Sequence, residues 1–174
     1  MSGLRITTPT GDTALEHWRY VHNEIVPPDA LSPEQVRDRS VRHHLEVAYL
    51  GDVPVGCTTV RPPAAVAAAA AADGLAPPAR PTATVIARVL PAHRGRGFGT
   101  ELYARGLATA RELGAEAVET VVLASNPEGL RFAGARGFVE FDRYVLPGDT
   151  VAYVELRLAG LTPLTPPAGS PAPR

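Results

Sequence analysis

Apolar residues recur along this chain with two different periods. After Gly11-Asp12, Leu15, Trp18, Val21 and Ile25 return every three or four residues, which predicts an amphipathic helix with Trp18 as a core anchor; Pro27-Pro28 ends it. Ser32-Pro33-Glu34-Gln35 predicts the next helix start, with Ser32 as N-cap, Pro33 at the first helical position and Gln35 completing a capping box, and that helix runs to about Arg42. The period then shortens to two. Leu45, Val47 and Tyr49 alternate with His44, Glu46 and Ala48, the pattern of a half-buried strand, and Gly51-Asp52 joins His44–Leu50 to Val53–Arg61 as an antiparallel hairpin. Leu4–Thr8 is a short extended segment. Ala83–Leu90 is another strand, Phe98–Leu113 a helix with Leu102, Gly106 and Ala110 on one face, and Ala117–Leu123 a nearly continuous apolar run broken by Glu119. A short helix follows Asn126 through Arg136, and Phe138–Val145 and Val151–Leu158 form a terminal antiparallel pair.

The order β-α-α-β-β-β-α-β-α-β-β holds one parallel crossover, between Ala83–Leu90 and Ala117–Leu123, within otherwise antiparallel strands. It predicts a mixed α/β domain, a central, largely antiparallel sheet flanked by helices. Residues 1–160 are read as one domain. Residues 62–81 are rich in Pro and Ala, offer few large side chains to pack, and are read as a flexible insertion between adjacent strands; 161–174, rich in Pro, Thr and Gly, is read as a disordered tail.

The chain's 174 residues suffice for one substantial core, and a formal net charge of -1 argues against a general nucleic-acid binder. No segment is long and apolar enough to span a bilayer, and Asp12, Glu16 and His17 interrupt any secretory signal, so a soluble cytoplasmic protein is expected. Cys57, the single cysteine, excludes an intrachain disulfide and reads as a buried thiol. His43-His44 point to opposite faces of an extended chain and have no Cys/His/Asp cluster around them, so no metal site is expected.

The segment richest in chemistry is Arg94-Gly95-Arg96-Gly97-Phe98-Gly99-Thr100, between a strand and a helix. Glycines there let the backbone approach a ligand, and the following helical turn supplies unpaired N–H groups and the positive end of a dipole, a setting for phosphate or pyrophosphate. Val89 through Thr100 resembles the acyl-CoA-binding motif of the GNAT superfamily of N-acetyltransferases, whose core is an Arg or Gln, two free positions, Gly, one free position, then Gly or Ala; here these are Arg94, Gly97 and Gly99. The order of elements from about Leu4 to Leu158 resembles that family as well.

The resemblance implies the acyl-CoA N-acyltransferase fold and transfer of an acetyl group from acetyl-CoA, as cosubstrate, to an amine by direct attack in a ternary complex. It implies that the two parallel strands splay, that backbone groups of Val89 and Leu90 contact the pantetheine arm, and that the pyrophosphate rests on N–H groups from Gly95 through Thr100, Phe98 and Gly99 included, with Arg94 and Arg96 offsetting its charge. Asn126 matches the family's residue after the crossover strand and is available to the pantetheine amide, although Asn before Pro127 equally suits an N-cap. Gly129 stands where the family usually has Ala, and Ala133 where it usually has a general-acid tyrosine. Tyr144 and Tyr153 are alternative proton donors, each also suited to an ordinary strand position. Glu119 is the most notable candidate base, with a solvated or ion-paired carboxylate as the plain alternative. Glu24, Asp29 and Glu34 can attract a cationic amine or simply be solvated. The acceptor is a small-molecule or peptide amine, and family resemblance suggests a homodimer. The missing tyrosine leaves a second reading, a noncatalytic acyl-CoA-binding or sensor protein on the same fold.

Overall fold

Seven strands form a single sheet in the order β1-β2-β3-β4-β5-β7-β6. The structure is a computed structural model and describes residues 3–63 and 80–158. Most of the insertion expected at 62–81, namely 64–79, and the expected tail lie outside the described residues. The strands are β1 (Leu4–Thr7), β2 (His44–Leu50), β3 (Val53–Arg61), β4 (Thr82–Val89), β5 (Ala117–Leu123), β6 (Phe138–Tyr144) and β7 (Tyr153–Leu158). Among the described residues the α-helices are α1 (Gly11–Ile25), α2 (Pro33–Arg42), α3 (Phe98–Glu112) and α4 (Pro127–Gly134). Every neighbouring pair is antiparallel except β4 and β5. This is the mixed, largely antiparallel α/β sheet that the sequence pattern predicts.

The apolar face of α1 seats as its spacing requires. Trp18 and Val21 are fully buried, with Leu15 and Ile25 packed at the margin, against Leu45, Val47, Tyr49 and Cys57 of β2 and β3. The Trp18 indole N–H donates to the Thr58 carbonyl at 3.1 Å, so burying the ring leaves no donor unmet. The capping box of α2 forms in both directions: the Gln35 N–H donates to Ser32 Oγ and the Ser32 N–H to Gln35 Oε1.

The opposite face is covered by α3 and α4. Gly106 lets α3 lie directly on the sheet, since a Cβ there would meet Val85 Cγ1 at 2.5 Å. Here the structure departs from the expected half-buried β2. Its polar row is covered too: Glu46 is 3% exposed and accepts from Arg105 of α3 at 2.6 Å, with His44 at 3.9 Å. A carboxylate in that position is tolerable because a charged, hydrogen-bonding partner reaches it.

Candidate functional site

The parallel pair comes apart. β4 and β5 are in register over three rungs, Thr82 with Ala117, Ala83 with Val118 and Thr84 with Glu119. Beyond Thr84 they diverge, leaving the C-terminal halves of both strands without each other as hydrogen-bond partners. A cavity of about 580 Å³ opens there. Its walls include Val85 through Val89 on one side and Thr120 through Leu123 on the other, and it extends towards both sheet faces, to Asp29 and Arg39 on one and to Phe132 and Arg136 on the other.

One end of the cavity is the start of α3. Gly95 and Gly97 have φ of +72° and +84°, the left-handed region, and Gly97 caps the helix without any side-chain hydrogen bond. The first helical bond runs from the Glu101 N–H to the Gly97 carbonyl, so the N–H groups of Phe98, Gly99 and Thr100 carry no intrahelical partner. Gly97, Phe98, Gly99 and Thr100 line the cavity with Gly95. Such an uncapped terminus with left-handed glycines before it suits an anion.

Of the two loop arginines, Arg94 lines the cavity and Arg96 does not. Arg94 donates to Glu128 Oε2 at 2.7 Å and through Nε to the Val89 carbonyl at 3.1 Å, tying the end of β4 to the start of α4. Arg96 is exposed, stacks its guanidinium 5.2 Å from the centre of the Phe98 ring, and is not among the cavity residues. A further cation that sequence reasoning missed joins Arg94 at the cavity. Arg136, just after α4, lines the cavity, lies over the Phe132 ring at 3.3 Å and donates to Thr100 Oγ1 at 2.6 Å. No linear pattern ties residue 136 to residue 100; only the packing of α4 on α3 does.

Leu90 does not line the cavity. Its side chain is buried against the Trp18 cluster, its N–H donates to the Val55 carbonyl and its carbonyl accepts from His93, so both backbone groups are committed within the fold. Val89 remains at the cavity wall.

Asn126 caps α4 and also lines the cavity. Its Oδ1 accepts from the Gly129 N–H at 3.0 Å as the cap of α4, while its Nδ2 has no hydrogen-bond partner among the described residues and the residue lines the cavity. Gly129 makes this possible: a Cβ at that position would meet Asn126 Nδ2 at 2.7 Å and Val122 Cγ1 at 2.9 Å. Ala133 is 3% exposed and also lines the cavity, with Phe132 beside it.

Tyr144 and Tyr153, opposite each other on β6 and β7, stack at 5.5 Å between ring centres and line the cavity. Burial raises the pKa of both phenols; the Glu155 carboxylate adds to this at Tyr144 and that of Asp149 at Tyr153. Both therefore hold their protons at neutral pH. Tyr103 of α3 brings a third cavity phenol, its pKa likewise raised by burial.

Glu119 sits elsewhere. It occupies the last paired rung before the splay, binds Arg157 at 2.6 Å, and is not a cavity residue, so the ion-paired reading of this carboxylate fits the structure. Glu24 and Glu34 do not line the cavity either, whereas Asp29 does. Asp29 is engaged by His22 at 3.5 Å and Arg39 at 3.7 Å, and its pKa is lowered, mainly by the His22 hydrogen bond. Cys57 is fully buried, and burial pushes its thiol up to about 11, which keeps it protonated. No group of three or more metal-ligating side chains occurs among the described residues, and no helix among them is long and apolar enough to cross a membrane.

Residues 12–138 match the model of the acetyltransferase (GNAT) family. No curated protein sequence matches significantly. Among solved structures, yncA from Salmonella typhimurium, solved with its cofactor acetyl-CoA, aligns with a TM-score of 0.66 at 16% identity over 97% of this chain and 99% of its own. NAA60 from Arabidopsis thaliana, in complex with a bisubstrate analogue, aligns with a TM-score of 0.68 at 15% identity, over 88% and 96% of the two chains. The ribosomal-protein-alanine N-acetyltransferase of Brucella melitensis gives 0.64 at 17%, over 88% and 98%. At these identities the likeness is one of fold.

Proposed function

Since this chain belongs to the acetyltransferase (GNAT) family, we propose that it transfers the acetyl group of acetyl-CoA to the amine of a small molecule or peptide, by direct attack within a ternary complex. The observation that carries this reading is the splay between β4 and β5 running into the uncapped start of α3. Strand edges freed on both sides of a gap suit an amide-bearing arm, and free helix N–H groups at its end suit a pyrophosphate.

In this reading the N–H groups of Gly95 through Thr100 and the Arg136 guanidinium hold the pyrophosphate. Val89 and Asn126 Nδ2 hold the arm, and Arg94 acts as a strut that keeps the gap's shape. Bound acetyl-CoA supplies an activated thioester. The amine nitrogen forms the new N–C bond as the C–S bond breaks, the ammonium proton leaves to water, and the thiolate takes a proton from Tyr153 or Tyr144. The raised pKa of each phenol keeps that proton in place until it is needed. Cys57, buried and protonated, is unsuited to carry the acetyl group, which favours direct transfer.

Titration calorimetry with acetyl-CoA, ATP and NAD, followed by thiol release with a panel of amines, tests the reading. Preferential binding of acetyl-CoA and release of CoA on adding an amine are expected; binding of ATP or NAD with none of acetyl-CoA would refute it. Ala133 favours the second reading, a noncatalytic acyl-CoA sensor, which acetyl transfer to any amine would eliminate. A cytoplasmic location and a homodimer built on the exposed Val139, Phe141 and Val145 around the β6 edge complete the proposal, and sedimentation at micromolar concentration showing monomer alone would reject the dimer.

A further inference from the structure

The acceptor end of the cavity is more basic than binding an amine requires. Arg39 of α2, Arg61 at the end of β3 and Arg88 of β4 all line it. The carboxylates lining the cavity are Asp29 and Glu128. Glu128 is held by Arg94 at the opposite end, and Asp29 is shared between His22 and Arg39. Among the described residues no carboxylate lies within ion-pair distance of Arg61 or Arg88. Arg88, half-buried on a central strand, has one long hydrogen bond, to Thr59 Oγ1 at 3.4 Å, and a buried thiol, Cys57, beside it.

The three guanidiniums lie close enough to repel one another. Burial, and then the neighbouring arginines, lower the pKa of Arg39 and of Arg88, with Asp29 working the other way on both. His43 feels the same field, its pKa lowered by burial and then by Arg61, Arg39 and Arg42. Glu155 of β7, outside the cavity lining, is the next carboxylate within reach of Arg61's field. A fold that gathers three partly buried guanidiniums around one shared carboxylate leaves net positive charge at the cavity wall, which a bound anion would offset.

We infer that Arg61 and Arg88, with Arg39, bind an anionic group carried by the acceptor itself, so that the acceptor is a small amine bearing a carboxylate or a phosphonate. This rests on the acetyl-transfer reading and narrows its substrate class. Arg88 directly precedes Val89 at the gap, which favours a short spacing between amine and anion, as in an amino acid. Ile25, Val26 and Leu146 supply apolar wall for a side chain. The same positive field disfavours a protonated amine and so helps to present the neutral nucleophile without a dedicated carboxylate base. A lysine side chain within a protein or a simple polyamine brings no such anion and would leave the guanidiniums unpaired.

The test compares matched acceptors with acetyl-CoA in a thiol-release assay: amino acids, their amides, the corresponding decarboxylated amines, and aminoalkylphosphonates. Acids or phosphonates should exceed the amides in kcat/KM by about 10- to 100-fold, the range expected for hydrogen bonds to a charged group. The ratio between acid and phosphonate identifies which anion the site takes. Arg61→Gln and Arg88→Gln should each raise KM for the anionic acceptor and shrink its advantage over the amide, with acetyl-CoA affinity by calorimetry unchanged. Amides or plain amines turned over as well as the acids would overturn the inference, as would folded arginine variants that keep full discrimination. Should none of the panel be acetylated, amino acids and their amides are titrated into the CoA-loaded protein; preferential binding of the acids supports the anion site, and no binding of any acid overturns it. Failure to bind acetyl-CoA would instead sink the acetyl-transfer reading, and titration of the same compounds into the free protein would still decide the anion site.

Discussion

Replacing Gly97 by Val puts the pyrophosphate site to a quantitative test. Gly97 has φ +84° and caps α3, and a Cβ built there meets no atom within 4 Å. The Cβ itself is therefore uncrowded, and the main change is conformational cost. A left-handed L-residue costs roughly 1–2 kcal/mol, with a β-branched one at the upper end. If the loop stays as it is, that cost falls on stability, and Tm drops by about 4–8 °C for a chain of this size. If the loop relaxes to negative φ, the N–H groups of the first turn lose their alignment, and binding must restore it. The same 2 kcal/mol then appears as a fall in acetyl-CoA affinity of about 30-fold. Gly148, in the turn between β6 and β7, provides the control: its φ is +90°, a Cβ there also meets nothing within 4 Å, and it does not line the cavity. Gly148→Val should lose similar stability and no affinity. Calorimetry and thermal unfolding on both variants decide the matter. A folded Gly97→Val protein with the parent's affinity would refute the placement, and so would an equal loss in Gly148→Val.

The other predictions follow from specific contacts. Tyr153, 7% exposed with a buried hydroxyl that makes no close hydrogen bond, should be the proton donor; Tyr153→Phe should lower kcat by about 100-fold with acetyl-CoA affinity intact, Tyr144→Phe should cost less, and a large gain in kcat from Ala133→Tyr in the parent would show that the acid is instead missing. His22 is fully buried, donates through Nε2 to the Asp29 carbonyl at 2.9 Å, and has its pKa lowered by burial against the opposing pull of Asp29. Its contribution is therefore complete above the unfolded value near ~6.5 and declines as pH falls from there to the folded value; between pH 7.5 and 5.5 the parent should lose more unfolding free energy than His22→Phe, and parallel pH profiles would reject this. Because β3 and β4 pair up to Arg61 opposite Thr84, a short Gly/Ser connection in place of residues 64–79 should close the hairpin and keep acetyl-CoA affinity, whereas loss of both affinity and Tm would make that segment part of the fold or the site.

What the sequence conveyed depended on how local the cause was. The capping box of α2, the apolar face of α1 and the existence of strand β2 are each written within a dozen residues, and each appears as expected. The depth of β2 was not legible, because the same alternation describes a strand with one wet face and a strand whose polar face is met by an arginine 59 residues away. The splay of β4 from β5 came from family resemblance alone, since nothing in the composition of either strand says where their pairing stops. Within the site, the glycines were legible because a left-handed turn leaves few alternatives. The charges were not. Glu119 interrupts an apolar strand and drew attention as a base, yet Arg88 interrupts another apolar strand in the same way and is the one that lines the cavity. A lone charge in a buried strand signals that something must pair with it, and the pairing partner tells which kind of signal it is. Glu119 finds Arg157 across β7, so its cause lies inside the fold. Arg88 and Arg61 form no ion pair among the described residues, and charges that the fold itself leaves unneutralised suit a counter-charge that arrives with the substrate.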